Sequence, residues 1–340
     1  MKVALDAQLT VGTATGIGEY VRGLAAALRR RGLDAVELRE PSLDPWRFDR
    51  RLLWDQILLP RRARASGASL LHCAAGTMPL VVEVPVVVTV HDLAWHAVQA
   101  HAPAYARYYF GSFSLRRYRR AARVVVDSNF SRDALLQLLD GFDPQRVQVV
   151  YPGVAADFSN IERHAGDGRT IFVVGTIERR KNLEVVLRAM PGLRGARLIA
   201  VGPRTAYADE CAALAERLGI SERVEIRGYV TRSELLAIYA SCAVAAVPSR
   251  YEGFGYAAAQ ALCAGVPCIV SDKSSLPEIV RGDAPSVGVD DVDAWSQALT
   301  KALNGSEDAR AAAVRPAAVA RFSWESSAQS MERLYSSVDR

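Results

Sequence analysis

Cysteine, long apolar runs and internal repeats are scarce or missing in this sequence of 340 residues, and each shortage excludes something. The five cysteines, Cys73, Cys211, Cys242, Cys263 and Cys268, are odd in number and form no C-x-x-C pair, and none stands near a histidine at zinc-ligand spacing. A disulfide framework is therefore not expected. Reduced, mostly buried thiols in a cytoplasmic setting are. The most apolar stretch, LVVEVPVVVTV from Leu80, is broken by Glu83 and Pro85 and falls short of the roughly 20 residues that cross a bilayer, so no transmembrane helix is expected. At the start, MKVALDAQLT has a short apolar run that Asp6 interrupts, which reads as a first buried strand rather than a signal peptide. No repeat or low-complexity tract stands out.

What is present fits a globular enzyme. Half of the residues are hydrophobic and 23% are charged, and the length suits two domains better than one. The net charge of +5 is unevenly placed: residues 1–157 hold 20 Lys+Arg against 15 Asp+Glu, so the whole excess lies in that half. Much of it falls in RYYFGSFSLRRYRRAAR, residues 107–123, where arginines alternate with Tyr108, Tyr109, Phe110, Phe113 and Tyr118. Two readings stand beside each other there: a peripheral membrane contact with anionic lipid heads, and a solvated basic helix with its aromatics facing the core. No recognised nucleic-acid-binding motif accompanies the patch, so no nucleic acid partner is expected.

Short β-branched runs alternate with amphipathic ones. Strands are expected in MKVALDA, VVVTVHD, RVVVDS, VQVVYPG, TIFVVGT, ARLIAVG, RVEIRGYV, AVAAVPS and VPCIVSD, with helical patterns such as IGEYVRGLAAALRRRG and TRSELLAIYAS between most of them. That alternation predicts an α/β protein with two doubly wound parallel sheets. The polar, aperiodic segment 153–170 reads as the interdomain linker.

Four stretches could carry chemistry. In TATGIGEYVRGL, Gly16 and Gly18 close a loop and open a helix, a place where backbone N–H groups and partial positive charge meet a phosphate. This is not the dinucleotide fingerprint, because Arg22 replaces its third glycine. In VVVTVHDLAWH, His91 and Asp92 follow a strand at its carboxyl end, where open α/β sheets bind ligands; a histidine tying down a loop is the alternative. In VGTIERRKNLEVVL, Arg179, Arg180 and Lys181 precede a helix, which suits a diphosphate or a solvated turn. In RYEGFGYAAAQALCAGVP, Glu252 precedes Gly253, Phe254 and Gly255, and Gln260 follows. Read as eight residues of helix, about 12 Å long, this places both polar side chains toward one face, one for a hexose and one for a ribose. A capping carboxylate at an ordinary helix start is the other reading.

Taken in order, VGTIERRKN, GYVTRSELLAIYASC, VPSRYEGFGYAAAQALCAGVPCIVSDKSSLPEI and RFSWE resemble family 4 of the retaining glycosyltransferases, in particular its bacterial mannosyltransferase-like branch. TGIGEYVRGLAAAL, TVHDLAW and VVVDSNFSRDAL resemble the first lobe of the same branch. The resemblance implies a GT-B architecture, two Rossmann-like domains facing across a cleft. Residues 1–157 would form the acceptor side together with a closing helix over 323–340, and residues 158–322 would hold the donor. It implies transfer of a hexose, first of all mannose from GDP-mannose, from a nucleotide-sugar donor to a glycan or lipid-linked acceptor in cell-surface polysaccharide synthesis. Such an enzyme would be cytoplasmic, at the inner face of the membrane. By position, Lys181 and Arg180 would neutralise the leaving diphosphate, and Glu252, with the backbone of Gly253, Phe254 and Gly255, would grip the sugar. His91 would lie beside the reacting sugar, Gly16 and Gly18 would approach the phosphates, Gly175 and Thr176 would line the donor site, and Gly228, Tyr229 and Val230 would cradle the base.

Two positions depart from the family pattern. Gln260 stands where a second glutamate is common, and Thr176 where many members carry arginine. The amide can still bond ribose hydroxyls and can also donate. A non-catalytic nucleotide-sugar-binding subunit of a glycan-assembly complex is the rival that this change raises, and a nicotinamide oxidoreductase would need a stricter glycine fingerprint. No cofactor and no essential metal are expected, and the pair Asp291 and Asp293 reads as helix capping.

Overall fold

The computed structural model describes residues 1–12, 16–97, 104–164 and 168–338. The chain divides into two compact units, Met1–Gly153 with Phe322–Arg340, and Val154–Arg321. Each is built on a six-stranded sheet whose strand pairs are all parallel.

In the first unit the strands are β1 (Lys2–Asp6), β2 (Asp34–Leu38), β3 (Leu70–Cys73), β4 (Val86–Val90), β5 (Arg123–Val126) and β6 (Val147–Val149), in the order β2-β1-β3-β4-β5-β6. Side chains on a strand alternate between faces, and the sequence exploits this on both sides. Val86, Val88 and Val90 join Ala4, Val124, Val126 and Trp54 in one core, while Val87 joins Val3, Leu5 and Val125 in the other. The second core also takes Tyr20, Leu24 and Leu28 from the helix Gly16–Arg30 and Met331, Leu334 and Tyr335 from the helix Trp324–Val338. The closing helix is thus part of this unit. Tyr335 hydrogen bonds the buried His72 ring at 2.7 Å, and Trp324 lies over Gly23 and Gly153, where a Cβ would fall on its ring.

The second unit holds β7 (Thr170–Val174), β8 (Arg197–Val201), β9 (Val224–Arg227), β10 (Val244–Val247), β11 (Cys268–Ser271) and β12 (Ser286–Val287), in the order β12-β11-β10-β7-β8-β9. Ile171, Val173, Leu198, Ala200, Val244 and Ala246 pack under the helices Leu183–Ala189 and Val292–Leu303. On the other face Phe172 meets Tyr239 edge to face at 5.0 Å, and Tyr239 meets Phe158 at 5.3 Å.

Three expectations change. β2, β3 and β12 are strands that periodicity does not flag: β2 carries two acidic residues, β3 is four residues long, and β12 is two. The segment 153–170, expected as the interdomain linker, begins at the boundary between the units and carries structure of its own. It contains the helix Ala156–Ser159, buries Phe158 and Ile161, and is held by Arg232 on Asp157 and by Arg315 on the Ser159 and Ile161 carbonyls, while residues 165–167 lie outside the described part. The basic stretch 107–123 is not one exposed helix: Tyr109, Arg117 and Tyr118 are buried, and Arg107, Tyr108, Arg116, Arg119 and Arg120 are exposed. Among the described residues no helix is long and apolar enough to cross a membrane.

Candidate functional site

Three of the expected residues converge in the second unit at the carboxyl ends of β7 and β10, the position where open α/β sheets receive ligands. After β7 the chain passes Gly175 and Thr176 into a short turn, Arg179–Lys181, which ends at Asn182 in the left-handed conformation with φ 53°. Asn182 is buried, donates to the Val289 carbonyl at 2.8 Å and accepts from Arg250 at 3.0 Å, so the strained residue is fixed from two sides. Lys181 then folds back across Gly175, whose absent Cβ would lie 3.3 Å from the lysine Cε.

After β10, Ser249 and Glu252 meet the lysine. Lys181 Nζ donates to Glu252 Oε1 at 2.5 Å, Ser249 Oγ donates to the same oxygen at 2.7 Å, and Arg180 Nη1 lies 3.4 Å from Glu252 Oε2. Arg180 also donates to the Tyr251 carbonyl at 2.8 Å and, at 2.7 and 3.1 Å, to Glu178. Burial is the largest influence on Glu252 and works to raise its pKa, but the charges of Lys181 and Arg180 and the hydrogen bonds more than reverse it, so the carboxyl stands below its ordinary value. The carboxylate is ionised. Two cations therefore face two carboxylates, Glu252 and Glu178. The cluster as built is charge-balanced rather than a bare cationic clasp.

The loop Glu252–Gly255 is held from behind by two serines. Ser274 accepts the Glu252 N–H at 2.9 Å, and Ser275 donates to the Glu252 and Phe254 carbonyls at 3.0 and 2.8 Å. Gly255, at φ 101°, turns the chain into the helix Tyr256–Ala264, and a Cβ there would meet Leu276 Cδ2 at 2.7 Å. The helix thus starts after Gly255, not at Glu252, and the expected eight-residue helical spacing between Glu252 and Gln260 does not hold. Glu252 does not cap this helix either. Gln260 is buried on this helix and meets Tyr239, whose hydroxyl lies 3.4 Å from its Oε1. Gly228 follows β9 and accepts the Gly202 N–H at 3.2 Å, with Tyr229 exposed beside it and Val230 next. Asp291 caps the helix Val292–Leu303 by accepting the Ala294 N–H at 2.9 Å.

His91, Gly16 and Gly18 belong to the first unit. Gly16 opens the helix Gly16–Arg30, and Gly18 is buried in its first turn; the preceding Thr13–Thr15 lie outside the described residues. His91 follows β4, and both ring nitrogens have protein partners: Nδ1 meets Asp127 at 2.7 Å and Nε2 meets the Ala74 carbonyl at 2.9 Å. A carbonyl can only accept, so Nε2 carries hydrogen. Burial works to lower the pKa of His91, but Asp127 and the Ala74 carbonyl outweigh it, and the ring stands above its ordinary value. Tyr20 lies edge-on to the ring at 4.7 Å.

Sequence reading missed Ser249, Glu178, Ser274, Ser275 and Asp127. Asp127 carries the same signal as His91, a polar residue directly after an apolar strand, in RVVVDS. Ser249 and Glu178 sit three and two residues before the residues they hold, but nothing in their spacing marks them. A further buried set lies at the end of β1, where Asp6 bonds Trp54 and Arg51 at 2.9 and 3.1 Å, and Arg51 reaches Asp55 and Thr77.

Each half of the chain matches a known domain family. Residues 155–317 match the family described as Glycosyl transferases group 1, and residues 14–158 match Glycosyltransferase Family 4. The chain carries two glycosyltransferase domains. Its relatives include the D-inositol 3-phosphate glycosyltransferase of Mycobacterium marinum, 30% identical over 63% of this chain and 50% of that protein. The protein of the same name from Mycobacterium sp. (strain KMS) is 36% identical over 58% and 48%. The chain spans about half the length of the curated relatives it matches. Among solved structures, the sucrose-phosphate synthase of Thermosynechococcus elongatus superposes with a TM-score of 0.77 at 20% identity, covering 99% of this chain and 98% of that one. Anabaena HepE in complex with UDP-glucose superposes at 0.76 with 16% identity, covering 99% and 100%. The fold of these glycosyltransferase domains is therefore GT-B, two Rossmann-like α/β units with six parallel strands each.

Proposed function

We propose that the protein is a retaining hexosyltransferase that uses a nucleotide-sugar donor and a glycan or lipid-linked acceptor. The observation that carries this reading is the cluster of Lys181, Arg180 and Glu252 at the carboxyl ends of β7 and β10. A nucleoside diphosphate leaving group gains negative charge as the glycosidic bond breaks, and preorganised cations stabilise that charge. Lys181 exchanges Glu252 for the diphosphate, and the carboxylate so released accepts hydrogen bonds from sugar hydroxyls. Each cation thus has a partner both before and after the donor arrives, so neither is stranded while partly buried.

Mannose from GDP-mannose remains the first donor to try. UDP-glucose is the second, because the HepE structure holds it, and the inositol phosphate of the curated relatives' name supplies an acceptor to include. The test is transfer from GDP-mannose and UDP-glucose by the full chain and by Lys181→Ala and Arg180→Ala. Loss of one such electrostatic contact lowers turnover by about 100-fold; unchanged turnover in both variants overturns the assignment. Nuclear magnetic resonance of the product reads the anomeric configuration, and inversion refutes the retaining course. Thermal shifts with GDP, UDP, ADP and dTDP identify the base, since a ligand bound only by the native state raises its melting temperature.

A further inference from the structure

Lys181, Arg180 and Ser249 all meet the Glu252 carboxylate, but they differ in what the arrival of a donor does to them. The two cations stand on long, flexible side chains and are attracted by a diphosphate. Ser249 carries no charge and has one torsion before its hydroxyl, so a phosphate does not draw it away. A carboxylate can only accept, so in the 2.7 Å bond Ser249 Oγ donates its single hydrogen to Oε1, the oxygen that Lys181 also uses.

The serine is itself fixed. It is 1% exposed and lies in the loop just beyond β10, and its carbonyl accepts Ser271 Oγ at 2.5 Å from the last residue of β11. The next residue, Arg250, donates its N–H to the Arg180 carbonyl at 2.8 Å. At the other end of the turn the Glu252 N–H and carbonyl are bonded by Ser274 and Ser275. With the backbone held on both sides of Tyr251, the freedom left to Glu252 is in its side-chain torsions, and Ser249 removes it for one oxygen.

We propose that Ser249 is the positioning residue of the donor site: it keeps Glu252 in place when Lys181 turns to the diphosphate, so that the carboxylate meets the sugar hydroxyls instead of following the cation. This rests on the exchange of Lys181 between Glu252 and the diphosphate proposed above. Removing the hydroxyl leaves the carboxylate to the cations, which it then withholds from the diphosphate. Burial works to raise the Glu252 pKa, and the charges of Lys181 and Arg180 together with the bonds from Lys181 and Ser249 bring it below its ordinary value. Loss of the Ser249 bond moves it up. The sugar is gripped by the ionised form, so the acid limb of the kcat/KM profile moves to higher pH.

The test has a ligand-free arm and a transfer arm. In the first, Lys181→Met stands for the state in which the lysine has left Glu252, and Ser249→Ala is made both in the parent and in that variant. In urea titrations at about pH 8, where the stranded carboxylate is felt, Ser249→Ala is expected to lower the folding equilibrium at least about fivefold more beside Lys181→Met than in the parent. Equal losses overturn the proposal. In the second arm, with whichever of GDP-mannose and UDP-glucose the parent uses, Ser249→Ala lowers kcat/KM about tenfold or more. Beside Glu252→Gln it lowers it about twofold or less, because a residue that acts through the carboxylate has little left to act on. An equal fold-loss in both backgrounds, or an acid limb that stays where it was, overturns the proposal. A parent that transfers no sugar refutes the transfer reading instead, and the urea titrations still decide whether Ser249 holds Glu252.

Discussion

Replacing Lys181 by methionine removes the ammonium group that keeps Glu252 ionised while leaving a side chain of similar length over Gly175. Glu252 is 7% exposed, and what remains to it is the Ser249 hydroxyl at 2.7 Å and Arg180 at 3.4 Å. Stranding one member of a fully buried pair costs about 3–5 kcal/mol. Here a serine and a second cation remain, so about 2 kcal/mol is expected, roughly 30-fold in the folding equilibrium. The pH dependence identifies the cause. In the parent the Glu252 pKa lies below its ordinary 4.5, so its contribution is present above that value and is lost as pH falls through the native pKa. In the variant, burial is opposed much less and the native pKa moves above the ordinary value. The native state then holds a proton that the unfolded state has released, and stability falls as pH rises through that window. The gap between parent and variant is therefore small in acid, opens from below 4.5, and levels off once the variant's carboxyl has ionised. Urea titrations followed by circular dichroism from about pH 4 to about pH 8 measure it, read on the transition that the substitution shifts. The double variant Lys181→Met, Glu252→Gln removes the stranded charge and regains at least half of the loss. A gap that does not change with pH, or a double variant no more stable than the single one, refutes the reasoning.

Asp127→Asn leaves burial of His91 without its main counterweight, so the ring's pKa falls from above its ordinary value to below it, as an imidazole titration by nuclear magnetic resonance will show. His72 is buried between Thr89 and Tyr335, and desolvation pushes its pKa down from 6.5 to about 3. The stability it confers is present above 6.5 and is lost as pH falls through that window, so His72→Gln flattens the acid side of the stability profile in denaturant titrations even though it destabilises at neutral pH. Gly23→Ala drives a methyl group into the Trp324 ring and costs about 1–3 kcal/mol in urea titrations, read on the transition of the first unit. Gly255→Ala combines φ 101° with a 2.7 Å approach to Leu276 and lowers both the melting temperature and nucleotide binding by thermal shift, because the same loop carries Glu252.

The sequence by itself determined the fold class. Nine of the strands announce themselves, most plainly the interior ones such as VVVTV and TIFVV, because a strand covered on both faces has no polar side to dilute the signal. β2 escaped notice because Asp34 and Glu37 break its apolar pattern, β12 because it is only two residues long, and β3 because LLHC has no β-branched residue. Motif order also brought Arg180, Lys181 and Glu252 onto one list, since each lies in the loop that follows a strand of the same sheet. Partners across the fold were decided by tertiary structure alone. Lys181 and Glu252 are 71 residues apart and meet at 2.5 Å only because β7 and β10 are neighbours in the sheet. That meeting turned an expected cationic clasp into a balanced cluster with Glu178. The start of the helix at Tyr256, which sets Gln260 beside Tyr239, depends on Gly255 and the serines behind it, a packing no spacing rule encodes. Periodicity reports how a residue relates to its own element, whereas hydrogen-bond partners are chosen by the elements packed against it.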